Sequence, residues 1–93
     1  MVYHVVISHV VISTTAARQL QERLPEAVAW ACYEFIRGPL AEEPYRVGAP
    51  LQAPFEGHWR ARRGEYRVRC TINEDGKEIH ILDVDHRRDI YHR

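Results

Sequence analysis

The chain has no surplus of charge: thirteen lysines and arginines stand against thirteen aspartates and glutamates over 93 residues, so bulk charge does not mark it as a nucleic-acid binder. Cysteine is scarce as well. Cys32 falls in a helical stretch and Cys70 in a strand-like one, and two distant cysteines without an export signal make a poor secreted scaffold; both read as small core residues of a protein of the reducing cytoplasm. No stretch approaches the roughly 18 apolar residues that a membrane helix needs, so no membrane contact is expected. The apolar start, Met1 to Ser13, lacks the basic leading region of a signal peptide and carries His4 and His9. His80, His86 and His92 have no cysteine or carboxylate at ligand spacing, which argues against a structural metal. At this length there is room for a single domain, 1–93, with one modest core.

What is present is unevenly placed. Met1 to Gly57 holds four arginines against six glutamates, while His58 to Arg93 holds nine basic against seven acidic residues. Between His58 and Arg69 five arginines face a single acid, Glu65. This segment alternates on both sides of Gly64-Glu65, as two antiparallel strands do. A two-residue turn there sets Arg62 against Arg67, Arg60 against Arg69, Ala61 against Val68 and Trp59 against Cys70, with Tyr66 beside Arg63, and so sorts apolar from charged side chains. A three-residue turn would put Arg60 against Val68 and spoil the sorting. Gly at the first central position suits a type II′ turn. Directly opposed like charges cost stability, so such a face implies an anion. The competing account is a solvated strand neutralised by Glu78, Asp83 and Asp85. Trp59 could stack on a base, but its face assigns it to the core; Trp30 is expected on a helix surface or interface.

The remaining elements follow from local signals. The tandem copies His4-Val5-Val6-Ile7-Ser8 and His9-Val10-Val11-Ile12-Ser13 are both β-prone; the second runs directly into a helix and is expected to be the strand. Thr14 and Thr15 are expected to cap a helix over Ala16–Leu24, and Pro25 to separate it from a second over Glu26–Arg37, striped by Val28, Ala31, Cys32 and Phe35 and stopped by Gly38-Pro39. Gly38 to Glu56, with four prolines, is expected to be an irregular crossing loop. After a turn at Asn73-Glu74-Asp75-Gly76 comes a last strand, Lys77–Val84, whose alternation slips at Ile81-Leu82, as at a bulge or in a strand buried on both faces. The expected architecture is α+β, order β-α-α-β-β-β, with two N-terminal helices on one face of a small antiparallel sheet and the arginines on the other.

The run Arg62-Arg63-Gly64-Glu65-Tyr66-Arg67-Val68, followed some twenty residues later by His86-Arg87-Arg88-Asp89-Ile90-Tyr91, resembles the RelE toxins of the RelE/ParE superfamily. The Thr15–Leu20 helix start, the Leu24-Pro25 break and Arg46-Val47-Gly48-Ala49-Pro50-Leu51 extend the resemblance over almost the whole chain. The family implies a bacterial toxin of a toxin–antitoxin pair that cuts messenger RNA in the ribosomal decoding site, without metal or cofactor, by attack of a 2′-hydroxyl on its neighbouring phosphate. Under that resemblance Arg67 neutralises the phosphorane, Arg87 assists at the phosphate or leaving group, and Tyr91 acts as base or orients the hydroxyl. Arg60, Arg62, Arg69 and Arg88 would hold RNA phosphates, and His58 and His86 would bind there or transfer protons. The implied partners are a RelB-like or related antitoxin and the ribosome with its message, with operator DNA reached only through the antitoxin. Two functional alternatives stay open, a ParE-like inhibitor of DNA gyrase and a nuclease-dead co-repressor, and Tyr91 could instead simply anchor the C-terminus by packing its ring.

Overall fold

The apolar alternation of the strands and the apolar stripes of the helices meet in one core. The computed structural model describes residues 7–86. In chain order they form β1 (His9–Ile12), α1 (Thr14–Arg18, continued by a wider π-type turn over Gln19–Arg23) and α2 (Glu26–Phe35, continued likewise over Ile36–Leu40). Then follow α3 (Pro44–Val47), β2 (Ala49–Pro50), β3 (Trp59–Arg63), β4 (Tyr66–Asn73) and β5 (Glu78–His86). The sheet order is β1-β5-β4-β3-β2. Ala16, Cys32, Phe35, Ile36 and Leu40 from the helices pack on Ala61, Tyr66, Val68, Cys70, Ile79, Ile81 and Val84 from one sheet face. The other face carries the arginines. No helix among the described residues is long and apolar enough to cross a membrane.

The hairpin register is as expected, with Trp59, Arg60, Ala61, Arg62 and Arg63 opposite Cys70, Arg69, Val68, Arg67 and Tyr66. Gly64 has φ +59° while Glu65 stays at negative φ, which fits a type II′ turn and not type I′. The sheet is antiparallel from β2 through β5, but β1 joins β5 in parallel, so the whole is mixed where an antiparallel sheet was expected. β1 and β5 are neighbours in the sheet but far apart in sequence, separated by the helices and β2–β4, and parallel neighbours need such a long connection.

β5 is both central and bulged: Asp83 faces Arg69 and Ile81 faces Cys70, leaving Leu82 as the extra residue. The backbone groups around the bulge are satisfied from the β1–α1 junction. Ser13 Oγ donates to the Leu82 carbonyl at 2.7 Å, Ser13 N–H donates to the Ile81 carbonyl at 2.9 Å, and Gln19 Oε1 accepts from Val84 N–H at 2.6 Å.

Ser13, not Thr14 or Thr15, is the N-cap of α1, its hydroxyl accepting from Ala16 N–H at 3.0 Å. The serine with extended backbone wins because it also ends β1. Gly38-Pro39 does not stop α2. A widened turn absorbs the missing Pro39 N–H, and Leu40 and Ala41 beyond it are buried. Ala31 is exposed, and Ile36 takes the place expected for it in the core. The 38–56 segment is more regular than its prolines suggest, holding α3 and β2. The last strand runs two residues past Val84, to His86. The second histidine-led copy is the strand β1; most of the first copy lies outside the described residues.

Candidate functional site

β3 and β4 alternate, so Arg60, Arg62, Arg67 and Arg69 share the face away from the helices. β5 adds Asp85 opposite Arg67 and Asp83 opposite Arg69. Of the three acids that could neutralise the face, these two belong to it; Glu78 stands at the far end of β5, opposite Asn73, with its Oε1 3.1 Å from His80 Nε2. Arg60, Arg67 and Arg69, with both aspartates, line a groove of about 420 Å³ whose rim is Leu51 and Phe55 from the β2–β3 loop. Arg60 and Arg62 are exposed and Arg67 is half-buried.

The arginines of the groove are not equivalent. Arg69 binds one carboxylate oxygen twice, with Nε 2.7 Å and Nη2 2.5 Å from Asp83 Oδ2. Its Nη1 lies 3.3 Å from His58 Nδ1, and its guanidinium carbon lies 5.7 Å from the centre of the Phe55 ring. Arg63, by contrast, sits over the Phe35 ring at 5.8 Å, an arginine used in packing rather than in the groove.

His86 is 5% exposed and lies on the helix-covered face with Val84, its Nε2 3.6 Å from Glu65 Oε2. The structure therefore brings together His58, Arg60, Arg67 and Arg69, with Arg62 beside them in register, and puts His86 on the opposite face. Arg87, Arg88 and Tyr91 lie outside the described residues. Burial pushes the thiol of Cys32 up to about 12 and that of Cys70 to about 11, so neither is a nucleophile near neutral pH.

Residues 9–91 match the family model described as the ParE toxin of the type II toxin–antitoxin system parDE. The chain belongs to this toxin family. It is 47% identical over 83 residues to Toxin RelE of Mycobacterium tuberculosis, covering 89% of this chain and 84% of that one. Toxin RelG of the same organism is 45% identical over 80 residues, covering 86% and 92%. The toxin–antitoxin complex RelBE2 of M. tuberculosis contains a chain that superposes with a TM-score of 0.81 at 41% identity, covering 94% of each chain. The RelE-like fold expected of the sequence is thus shown.

Leu51 and Phe55 were not legible as parts of the groove, and the sequence, which offered Asp83 as a neutralising acid, did not single out its pairing with Arg69. Phe55 lies in a run rich in proline, where no periodicity assigns a face. A second groove, of about 740 Å³, lies between α1, α2 and β1, lined by apolar groups of Ile12, Leu20, Leu24, Ala29 and Trp30. Trp30 is 60% exposed, as the sequence led one to expect of a surface or interface residue.

Proposed function

We propose that this family member is a ribosome-dependent endoribonuclease that cleaves message by in-line attack of a 2′-hydroxyl on the adjacent phosphate and so arrests translation. The observation that carries this is the groove in which Arg60 and Arg67 stand on a face whose arginines oppose one another in register. Crowded guanidinium groups are relieved by a phosphate chain, whose oxygens match their donor forks. The reaction needs charge stabilisation, a base and an acid, all of which side chains can supply without metal. In this scheme Arg67 neutralises the phosphorane, Arg87 assists at the phosphate or leaving group, Tyr91 acts as base or orients the hydroxyl, and Arg60, Arg62 and Arg88 hold the flanking backbone. His58, beside Arg69, contacts that backbone as well.

The proposed partner in the cell is a RelB-like or related antitoxin, the toxin acting in the cytoplasm and touching operator DNA only through that antitoxin. The Trp30 groove supports this, since an exposed tryptophan beside an apolar cleft suits an amphipathic segment of a partner. The ParE description of the matching family favours a second assignment, inhibition of DNA gyrase without nuclease chemistry. A paired assay separates them. Added to programmed ribosomes, the protein should cut message in the decoding site, and Arg67→Ala should abolish cutting by about a hundredfold or more while the domain stays folded. Intact message together with blocked DNA supercoiling would establish the gyrase assignment instead.

A further inference from the structure

Phe55 is 49% exposed, and among the exposed large hydrophobic side chains of the described residues it is the one that lines the arginine groove. The ring is thus available to a ligand in the groove. Its backbone, however, is closely held: Phe55 N–H donates to the Gln52 carbonyl at 3.0 Å, His58 N–H to the Phe55 carbonyl at 3.0 Å, and Leu51 N–H to the His58 carbonyl at 2.9 Å. The ring is braced from one side by Arg69, and the His58 ring lies 6.1 Å away, tilted by 39°. Arg69 is itself fixed by its two bonds to Asp83. Because a guanidinium only donates, His58 Nδ1 must be the acceptor of the Arg69 contact, and the hydrogen of the neutral ring is then on Nε2. Arginine and histidine thus flank the phenyl ring, and aspartate anchors the arginine.

We propose that Phe55 is a nucleobase platform: its free face stacks on a base of the RNA strand whose phosphates lie on Arg60 and Arg67, and Arg69 is the positioning residue that presents it. This rests on RNA being the ligand of the groove. Stacking on an aromatic face accepts every base and supplies affinity that phosphate contacts alone do not. The groove, at about 420 Å³, is large enough for a single nucleotide. Arg69 is thereby removed from the phosphate ligands, since its charge is engaged by Asp83 and its flat face by the ring.

The test is equilibrium binding of a short 2′-O-methyl RNA, which cannot be cleaved, and of the same strand with an abasic nucleotide in place of each base in turn. Phe55→Ala should weaken the base-bearing strand roughly five- to hundredfold, the range of one base–aromatic stack, and leave unchanged the strand lacking the stacked base. Phe55→Trp should retain that discrimination. Arg69→Leu should mimic Phe55→Ala, losing affinity only for the base-bearing strand, whereas Arg60→Ala should weaken both. Equal effects of Phe55→Ala on the two strands, or binding of neither strand by the unaltered protein, would overturn the platform. Base-dependent binding without ribosomal cutting would sink the nuclease proposal and leave the platform standing; ribosomal cutting with no base dependence at Phe55 would do the reverse.

Discussion

Arg69 and Asp83 face each other across β4 and β5 immediately beside the Leu82 bulge, and both nitrogens that Arg69 turns to Asp83 meet the same oxygen, Oδ2. The pair is mostly shielded, with 31% and 21% of the two side chains exposed, so solvent screens it less than a surface ion pair. Asp83→Ala should therefore cost about 1–2 kcal/mol in urea unfolding, since it leaves a partly buried guanidinium without its acceptor. Arg69→Leu/Asp83→Ala should recover part of that loss. A double variant less stable than the sum of the two single changes would contradict the pairing.

Ser13 joins three elements through one hydroxyl, which accepts from Ala16 N–H and donates to the Leu82 carbonyl. Ser13→Ala should cost roughly 2 kcal/mol, the sum of a lost helix cap and of a carbonyl left without its donor at the bulge. Ser13→Thr, which keeps the oxygen, should cost less than half as much. Thr14→Ala and Thr15→Ala should be close to neutral, since both residues are exposed and Ser13 provides the cap. Thermal unfolding of the four variants checks the ranking.

The contrast between these residues shows what sequence can disclose. The hairpin register is legible because apolar and charged residues alternate on both sides of Gly64-Glu65, and a single pairing sorts them. The bulge leaves a trace in the slip at Ile81-Leu82, yet nothing local says that the bulge sets Asp83 against Arg69, because that register depends on a strand eight or more residues away. Three consecutive hydroxyl residues, Ser13, Thr14 and Thr15, are equivalent as caps until the end of β1 is placed. The parallel entry of β1 depends on β5, the last strand of the chain, becoming its neighbour, not on any strand's own pattern. Phe55 is invisible for a simpler reason: its loop has no period, so its side chain has no predictable face. The register put Arg67 on the arginine face and offered Asp83 as a neutralising acid, while the particular contacts of Arg69 with Asp83, His58 and Phe55 emerged only in three dimensions.

Burial also sets a pH dependence. In the unfolded chain both thiols titrate near 9.0, whereas in the fold Cys32 is held up to about 12 and Cys70 to about 11, by desolvation of the thiolate. Burial moves the Tyr66 phenol upward too. Above about pH 9 the unfolded chain has released protons that the fold retains, so the native state binds more protons and stability must fall as pH rises. Urea midpoints should be unaffected by these groups below about pH 8 and decline from about pH 9 upward. Cys32→Ala should start lower, from the lost packing, but decline less steeply. A midpoint that stays flat through this alkaline range would refute the assignment.

Trp30 offers the counterpart test on the helix side. It is exposed at the edge of an apolar groove and makes an edge-to-face contact with Tyr33 at 6.4 Å, on whose ring Arg37 lies at 5.3 Å. These rings are held in place without being covered, as aromatic anchors of interfaces are. The fold loses little if Trp30 changes, because the side chain buries little; an antitoxin seated in the groove would lose a hot spot. Trp30→Glu should thus leave the unfolding midpoint within about 0.5 kcal/mol of the parent's stability. It should weaken antitoxin binding by about thirtyfold or more, the effect of a hot spot of about 2 kcal/mol. Ribosomal cutting by the free toxin should not change, because Trp30 lies on α2 and the arginines lie on the opposite sheet face. Loss of cutting with antitoxin binding intact would assign the two grooves the other way round.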